Sequence, residues 1–128
     1  MTLDSSALVA ILFEEPGYLD LVDRILEADQ ARVAAPTVVE TSLVVAGRRR
    51  SAAPGHVERL LRELDVHVVP FGEAEWPVAV EAFVRYGRGR HPAALNFGDC
   101  LAYAAATAAG DTLLFVGDDF ARTDVKVA

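Results

Sequence analysis

Residues 2–12 read TLDSSALVAIL: a short apolar stretch, an acid, then a long apolar run. A charge set this close to a hydrophobic core costs several kcal/mol unless something compensates it. Residues 2–4 read as a short strand and residues 5–14 as a helix, so Asp4 falls at a strand-to-helix corner. The same grammar recurs along the chain. "RVAAP" (32–36) predicts a strand ended by Pro36 and followed by a helix from Thr37 to about Arg49, and "VHVVPF" (66–71) is rich in β-branched residues. "TLLFV" (112–116) has the look of a buried strand, and "VKV" (125–127) of a last short one. Between them Tyr18, Leu21, Val22 and Ile25 have helical spacing, as do Val57, Leu60, Leu61 and Leu64. A further helix runs from Trp76 through Val80, Phe83 and Val84 to its end at Gly87, with Trp76 and Phe83 expected in the core. The last helix spans about 97–109 and stops at Gly110. Short strands alternating with helices imply βαβ units, hence a mainly parallel sheet with helices on both faces: a three-layer α/β/α sandwich. In such sheets ligands bind at the carboxyl ends of the strands.

The chain has 128 residues, 52% of them hydrophobic, which is enough for one domain over residues 1–128 with a sizeable core. No apolar run reaches the roughly 18–20 residues of a membrane span, and Asp4 stands where a signal peptide would be basic; a cytoplasmic location is expected. Cys100 is the sole cysteine. It can form no intrachain disulfide and reads as a small packing residue on a helix face. The net charge of −7 opposes binding to nucleic acid, but positive charge is concentrated in "GRRR" (47–50) and "RYGRGRH" (85–91). Those runs are either basic helix ends favoured by the dipole or a rim around an acidic centre.

Four acids occupy equivalent places. Asp4 ends the first strand, Glu40 falls in the first turn after the second, Asp99 in the first turn of the helix opened by Asn96, and Asp118 just after "LLFV". Each has a local explanation. Thr37-Val38-Val39-Glu40 fits a capping box and Asn96-Phe97-Gly98-Asp99 a variant of it; Asp4 can be an N-cap; Asp118 and Asp119 can shape a turn. Their conjunction carries more. Two unit charges about 4 Å apart repel by roughly 4 kcal/mol at an effective dielectric of 20, so convergent carboxylates take up protons or share a cation. Oxygen-only donors favour Mg²⁺, with Mn²⁺ a possible substitute, and such an ion suits hydrolysis of a phosphodiester by an activated water. No GxSxG elbow, Walker loop or GxGxxG is present. His56, His67 and His91 are scattered and read as structural or surface residues. His91, beside Arg85, Arg88 and Arg90, is the one best placed to touch a nucleic-acid backbone.

The stretches "LDSSALVAIL", "APTVVETSLVV", "YGRGRHPAALNFGDCLAYAAA" and "LLFVGDDFARTDV" together resemble the PIN-domain ribonucleases, in particular the VapC-type toxins of bacterial toxin–antitoxin pairs. The resemblance spans nearly the whole chain, and the third stretch is the most specific. It implies an α/β/α fold, a Mg²⁺-dependent endoribonuclease site, a homodimer, and inhibition by a cognate VapB-like antitoxin. Asp4 and Asp99 match the family's principal metal ligands, Glu40 the acid that completes the set and orients water, and Asp118 the fourth polar position, with Asp119 as the alternative. Ser6 matches the small hydroxyl of the Asp-x-Ser opening. Two rivals are a receiver-like phospho-acceptor module and an inactive PIN-like interaction domain. The first needs a lysine at a strand end, whereas Lys126 is the only lysine. The second has no need to hold repelling acids together. Excess apolar residues on the helix after Thr37 (Val38, Val39, Leu43, Val44, Val45) predict a second covered surface, for a dimer contact or an antitoxin.

Overall fold

The computed structural model describes residues 1–49 and 53–128, so Arg50 of the first basic run lies outside the described residues. In chain order the elements are β1 (Thr2–Leu3), α1 (Ser5–Leu12), α2 (Tyr18–Glu27), β2 (Ala31–Ala34), α3 (Ala35–Arg48), α4 (Ala53–Glu63), β3 (Val66–Val69), α5 (Trp76–Tyr86), α6 (Phe97–Ala108), β4 (Leu113–Leu114) and a 3₁₀ turn at Asp119–Arg122. The strands form one sheet in the order β3-β2-β1-β4, and every neighbouring pair is parallel. This is the α/β/α sandwich that the alternation of strands and helices predicts. Strand alternation separates the two cores. Leu114 packs with Leu3, Val33, Ile25 and Val57 under α1–α4, while its neighbour Leu113 faces Leu95, Tyr103 and Phe120 under α5 and α6.

Local physics shifts several boundaries. Helix α3 starts at Ala35 with Pro36 in its first turn, where a missing N–H costs nothing, so the proline opens a helix rather than closing a strand. Thr37 and Glu40 therefore make no capping box: the N-cap is Ala34, Glu40 sits in the second turn, and Thr37 is buried with its hydroxyl unpaired. Strand β4 is shorter than "TLLFV" because its partner β1 ends where Asp4 turns into α1. The "VKV" segment is no strand; it contributes one bridge, Leu113 to Val127, with Leu113 N donating to Lys126 O. Trp76 and Phe83 do not pack in the core either, being 52% and 41% exposed. The inner positions of α5 go to Ala82 and Tyr86, whose small and amphipathic side chains suit close packing on α6. Cys100 is buried on α6, as expected. Among the described residues no helix is long and apolar enough to cross a membrane.

Candidate active site

Three strand exits at the carboxyl end of the sheet and the head of α6 supply the acids. Asp4 leaves β1 in extended conformation and caps α1: its Oδ2 accepts from Ser6 N at 3.0 Å and from Ser6 Oγ at 2.5 Å. Ser6 Oγ in turn accepts from Val116 N at 3.0 Å, which ties the acid to the exit of β4. The residue is thus an N-cap, but one that is 3% exposed, and its other oxygen, Oδ1, is buried without any hydrogen-bond partner. An ordinary cap has no reason to bury an orphaned carboxylate oxygen.

Asp99 is likewise held by a helix end, as the N3 member of a capping box. Asn96 Oδ1 accepts from Asp99 N, and Asp99 Oδ2 accepts from Asn96 N, each at 2.9 Å, a complete capping box at the head of α6. The box holds the carboxylate in a buried position, 9% exposed. Burial pushes its pKa up to about 6, with the charges of Asp4, Asp119 and Glu40 adding to the effect against the lowering hydrogen bond from Asn96. Burial also raises the Asp4 carboxyl; the Ser6 bonds pull it back, and the Glu40 charge raises it further. The charges of acids remote in sequence therefore act on one another.

Glu40 enters from the second turn of α3, partly buried. Its carboxylate lies against the first turn of α6, where a β-carbon on Gly98 would stand 1.8 Å from Oε2. The fourth acid is supplied from the β4 exit, where Gly117 takes φ +98° and turns the chain into the 3₁₀ segment. There the charge that reaches Asp99 is that of Asp119. Asp118, favoured from sequence, is exposed at the N-cap position of that turn and caps nothing with its side chain.

The basic candidates separate. Arg85 donates to Tyr86 Oη at 2.9 Å and pairs with Asp124 at 3.3 Å; Asp124 also accepts from Tyr103 Oη at 2.5 Å, so Arg85 braces α5 against α6 and the chain end. Arg88 and Arg90 are exposed on the loop that leads into Asn96, and His91 packs edge-on against Tyr86 while its Nδ1 accepts from Ala93 N. Arg48 pairs with Glu15 at 3.1 Å, and Arg48 and Arg49 both lie over Phe13 just past the end of α1, a helix length from Asp4. His67 is exposed on β3.

The donors are all carboxylate oxygens, and the orphaned Asp4 Oδ1 is the place where a cation or a proton would be compensated; the set suits a hard dication. Among the described residues no three acid, cysteine or imidazole groups stand close enough to enclose a metal as they are. A pH consequence follows for the metal-free protein. Asp4 and Asp99 hold protons more tightly folded than unfolded, where such groups titrate at about 3.9. Their contribution to stability is full below that value and is lost as pH rises through the raised folded values, about 6 for Asp99. Melting temperatures in chelator are expected to fall between pH 4 and 7, and to fall less in Asp99→Asn. Identical slopes for the two proteins would refute the buried charge.

Glycine 98 and the unpaired Thr37 hydroxyl were not singled out from sequence. A glycine between an N-cap and its N3 acid is the only trace the first leaves. The PIN domain family profile matches residues 1–126. The chain is 41% identical over 127 residues to "Ribonuclease VapC36" of Mycobacterium tuberculosis, covering 98% of this chain and 91% of that protein. It is 39% identical to "Ribonuclease VapC42" of the same species, covering 100% and 98%, and 36% identical to "Ribonuclease VapC28", covering 100% and 97%.

Proposed function

This chain belongs to the PIN domain family, and from that membership we propose that it is a metal-dependent endoribonuclease, the toxin of a toxin–antitoxin pair. The observation that carries the reading is the buried pair Asp4 and Asp99, with Glu40 and Asp119 acting on them and Asp4 Oδ1 left without a partner. Natural folds do not gather repelling, desolvated carboxylates without use for them. The names of the relatives, all ribonucleases, support the reaction class.

Asp4, Asp99, Glu40 and a fourth acid from the β4 exit would hold Mg²⁺, with Mn²⁺ as substitute; the charge of Asp119 acts on Asp99, which favours it over Asp118 for that place. When bound, the dication offsets the clustered charge, makes water a stronger nucleophile and takes up charge on a phosphoryl oxygen. Ser6 fixes the Asp4 carboxylate through Oδ2 and leaves Oδ1 available. The Asn96 box performs the same service for Asp99, and Glu40 orients the attacking water and accepts its proton. Arg88 and Arg90, with His91, sit on the loop entering α6 and meet the RNA backbone; Arg85 is engaged with Asp124 and acts by holding that loop's base.

A groove of about 990 Å³ between α3, α5 and α6, lined by Val39, Leu43, Trp76, Val80 and Phe97, supports a homodimer contact and a VapB-like antitoxin seat. Phe97 is 79% exposed and Leu43 68%, apolar side chains that a partner seated there would cover. The toxin would act in the cytoplasm, as a single domain over residues 1–128. The test is to incubate the purified protein, freed of partner, with total RNA and Mg²⁺ and to map the new ends. Discrete internal cuts are expected; trimming from chain ends, or intact RNA, would overturn the reading.

A further inference from the structure

We propose that Gly98 is a positioning residue: its missing side chain is the seat of the Glu40 carboxylate, and any larger residue there moves that acid out of the crevice. The inference rests on the functional reading above. A β-carbon at position 98 would lie 1.8 Å from Glu40 Oε2, 2.6 Å from Cδ and 2.9 Å from Oε1. Those are the three nearest atoms it would meet, and all belong to one carboxylate. Glycine is not needed here for its backbone. Gly98 lies inside α6, outside the positive-φ region that Gly17, Gly89, Gly110 and Gly117 occupy, so alanine fits the helix. The nearest constraint is Glu40.

The geometry explains how an acid from the second turn of α3 meets one from the first turn of α6. Asp99 is fixed by its capping box, and Glu40 reaches it across the position next to it in the chain. With a methyl group at 98, the Glu40 carboxylate must withdraw by about 1.5 Å to regain van der Waals contact, and a misplacement of about 1 Å can cost on the order of 100-fold in rate. Gly47, on the same helix as Glu40, has nothing within 4 Å of its would-be β-carbon and provides the control.

Gly98→Ala is expected to melt cooperatively, to cleave RNA 10- to 100-fold more slowly, and to bind Mn²⁺ more weakly by calorimetry; Gly47→Ala is expected to match the wild type in all three. Glu40→Asp shortens the side chain by one methylene and withdraws it from position 98, so adding Gly98→Ala to Glu40→Asp is expected to change rate and Mn²⁺ affinity by less than twofold. A Gly98→Ala protein with wild-type rate and Mn²⁺ affinity, with no cooperative melt, or with an equal loss in both backgrounds would overturn the assignment. Glu40→Gln separates the two levels of inference. If that variant is impaired while Gly98→Ala is not, only the seat fails; if Glu40→Gln cuts RNA and binds Mn²⁺ normally, the role of Glu40 fails and the seat with it.

Discussion

Asp99→Asn is expected to lower RNA cleavage by on the order of 10²–10⁴-fold while leaving the metal-free protein folded and more heat-stable. The two effects have one origin. Asp99 is buried beside Asp4, Asp119 and Glu40, and its pKa stands at about 6, so at neutral pH the folded state carries an unfavourable charge. Asparagine removes that charge yet keeps the fold's local bonds, because its Oδ1 can accept from Asn96 N as Asp99 Oδ2 does, and its own N–H still reaches Asn96 Oδ1. Each kcal/mol of repulsion relieved is worth roughly 3–5 °C in a domain of this size. Alanine would confuse the result, since it also removes the Asp99 half of the capping box. An Asn variant that cuts RNA at the wild-type rate removes Asp99 from the mechanism. One that loses activity and also melts earlier would make Asp99 a structural cap and nothing more.

Removing divalent metal is expected to abolish cleavage and, in the same samples, to lower the melting temperature. A ligand that binds only the folded state stabilises it by about 2.7 kcal/mol when present at 100 times its Kd. Mg²⁺ or Mn²⁺ added back after chelation is therefore expected to restore both activity and a melting point some 8–13 °C higher at such saturation. The gain should be larger above pH 6, where Asp99 is ionised, than below it, where a proton takes the cation's place. Asp4→Asn tests the same point from the protein side. It neutralises the carboxylate whose Oδ1 has no partner, and should remove the metal-dependent rise in melting point together with activity. Full cleavage in chelator, with no shift on adding metal, would exclude the carboxylate site as the catalytic centre.

Much of this could be read from residue order. The strand-to-helix rhythm follows from periodicities of two and 3.6 and from which residues are β-branched, so the parallel sandwich and the corner positions of Asp4 and Asp99 were accessible. Capping pattern was accurate where side chain and backbone compete within four residues, as at Asn96 and Asp99. It failed at Thr37 and Glu40, because Pro36 can begin a helix as readily as end a strand, and only packing between α3 and the sheet selects the former. Trp76 and Phe83 were misplaced for a related reason: spacing reveals an apolar stripe but not whether anything lies opposite it.

By itself, then, the sequence determined the elements, their order and the acids at their corners, since these depend on interactions between near neighbours in the chain. The tertiary structure decided what depends on distance through space. It brought the charge of Asp119 onto Asp99, paired Arg85 with Asp124, and set Glu40 against the bare backbone of Gly98. Coulomb energy and steric contact fall off over a few ångströms, and residues 58 positions apart become neighbours only once the sheet has closed.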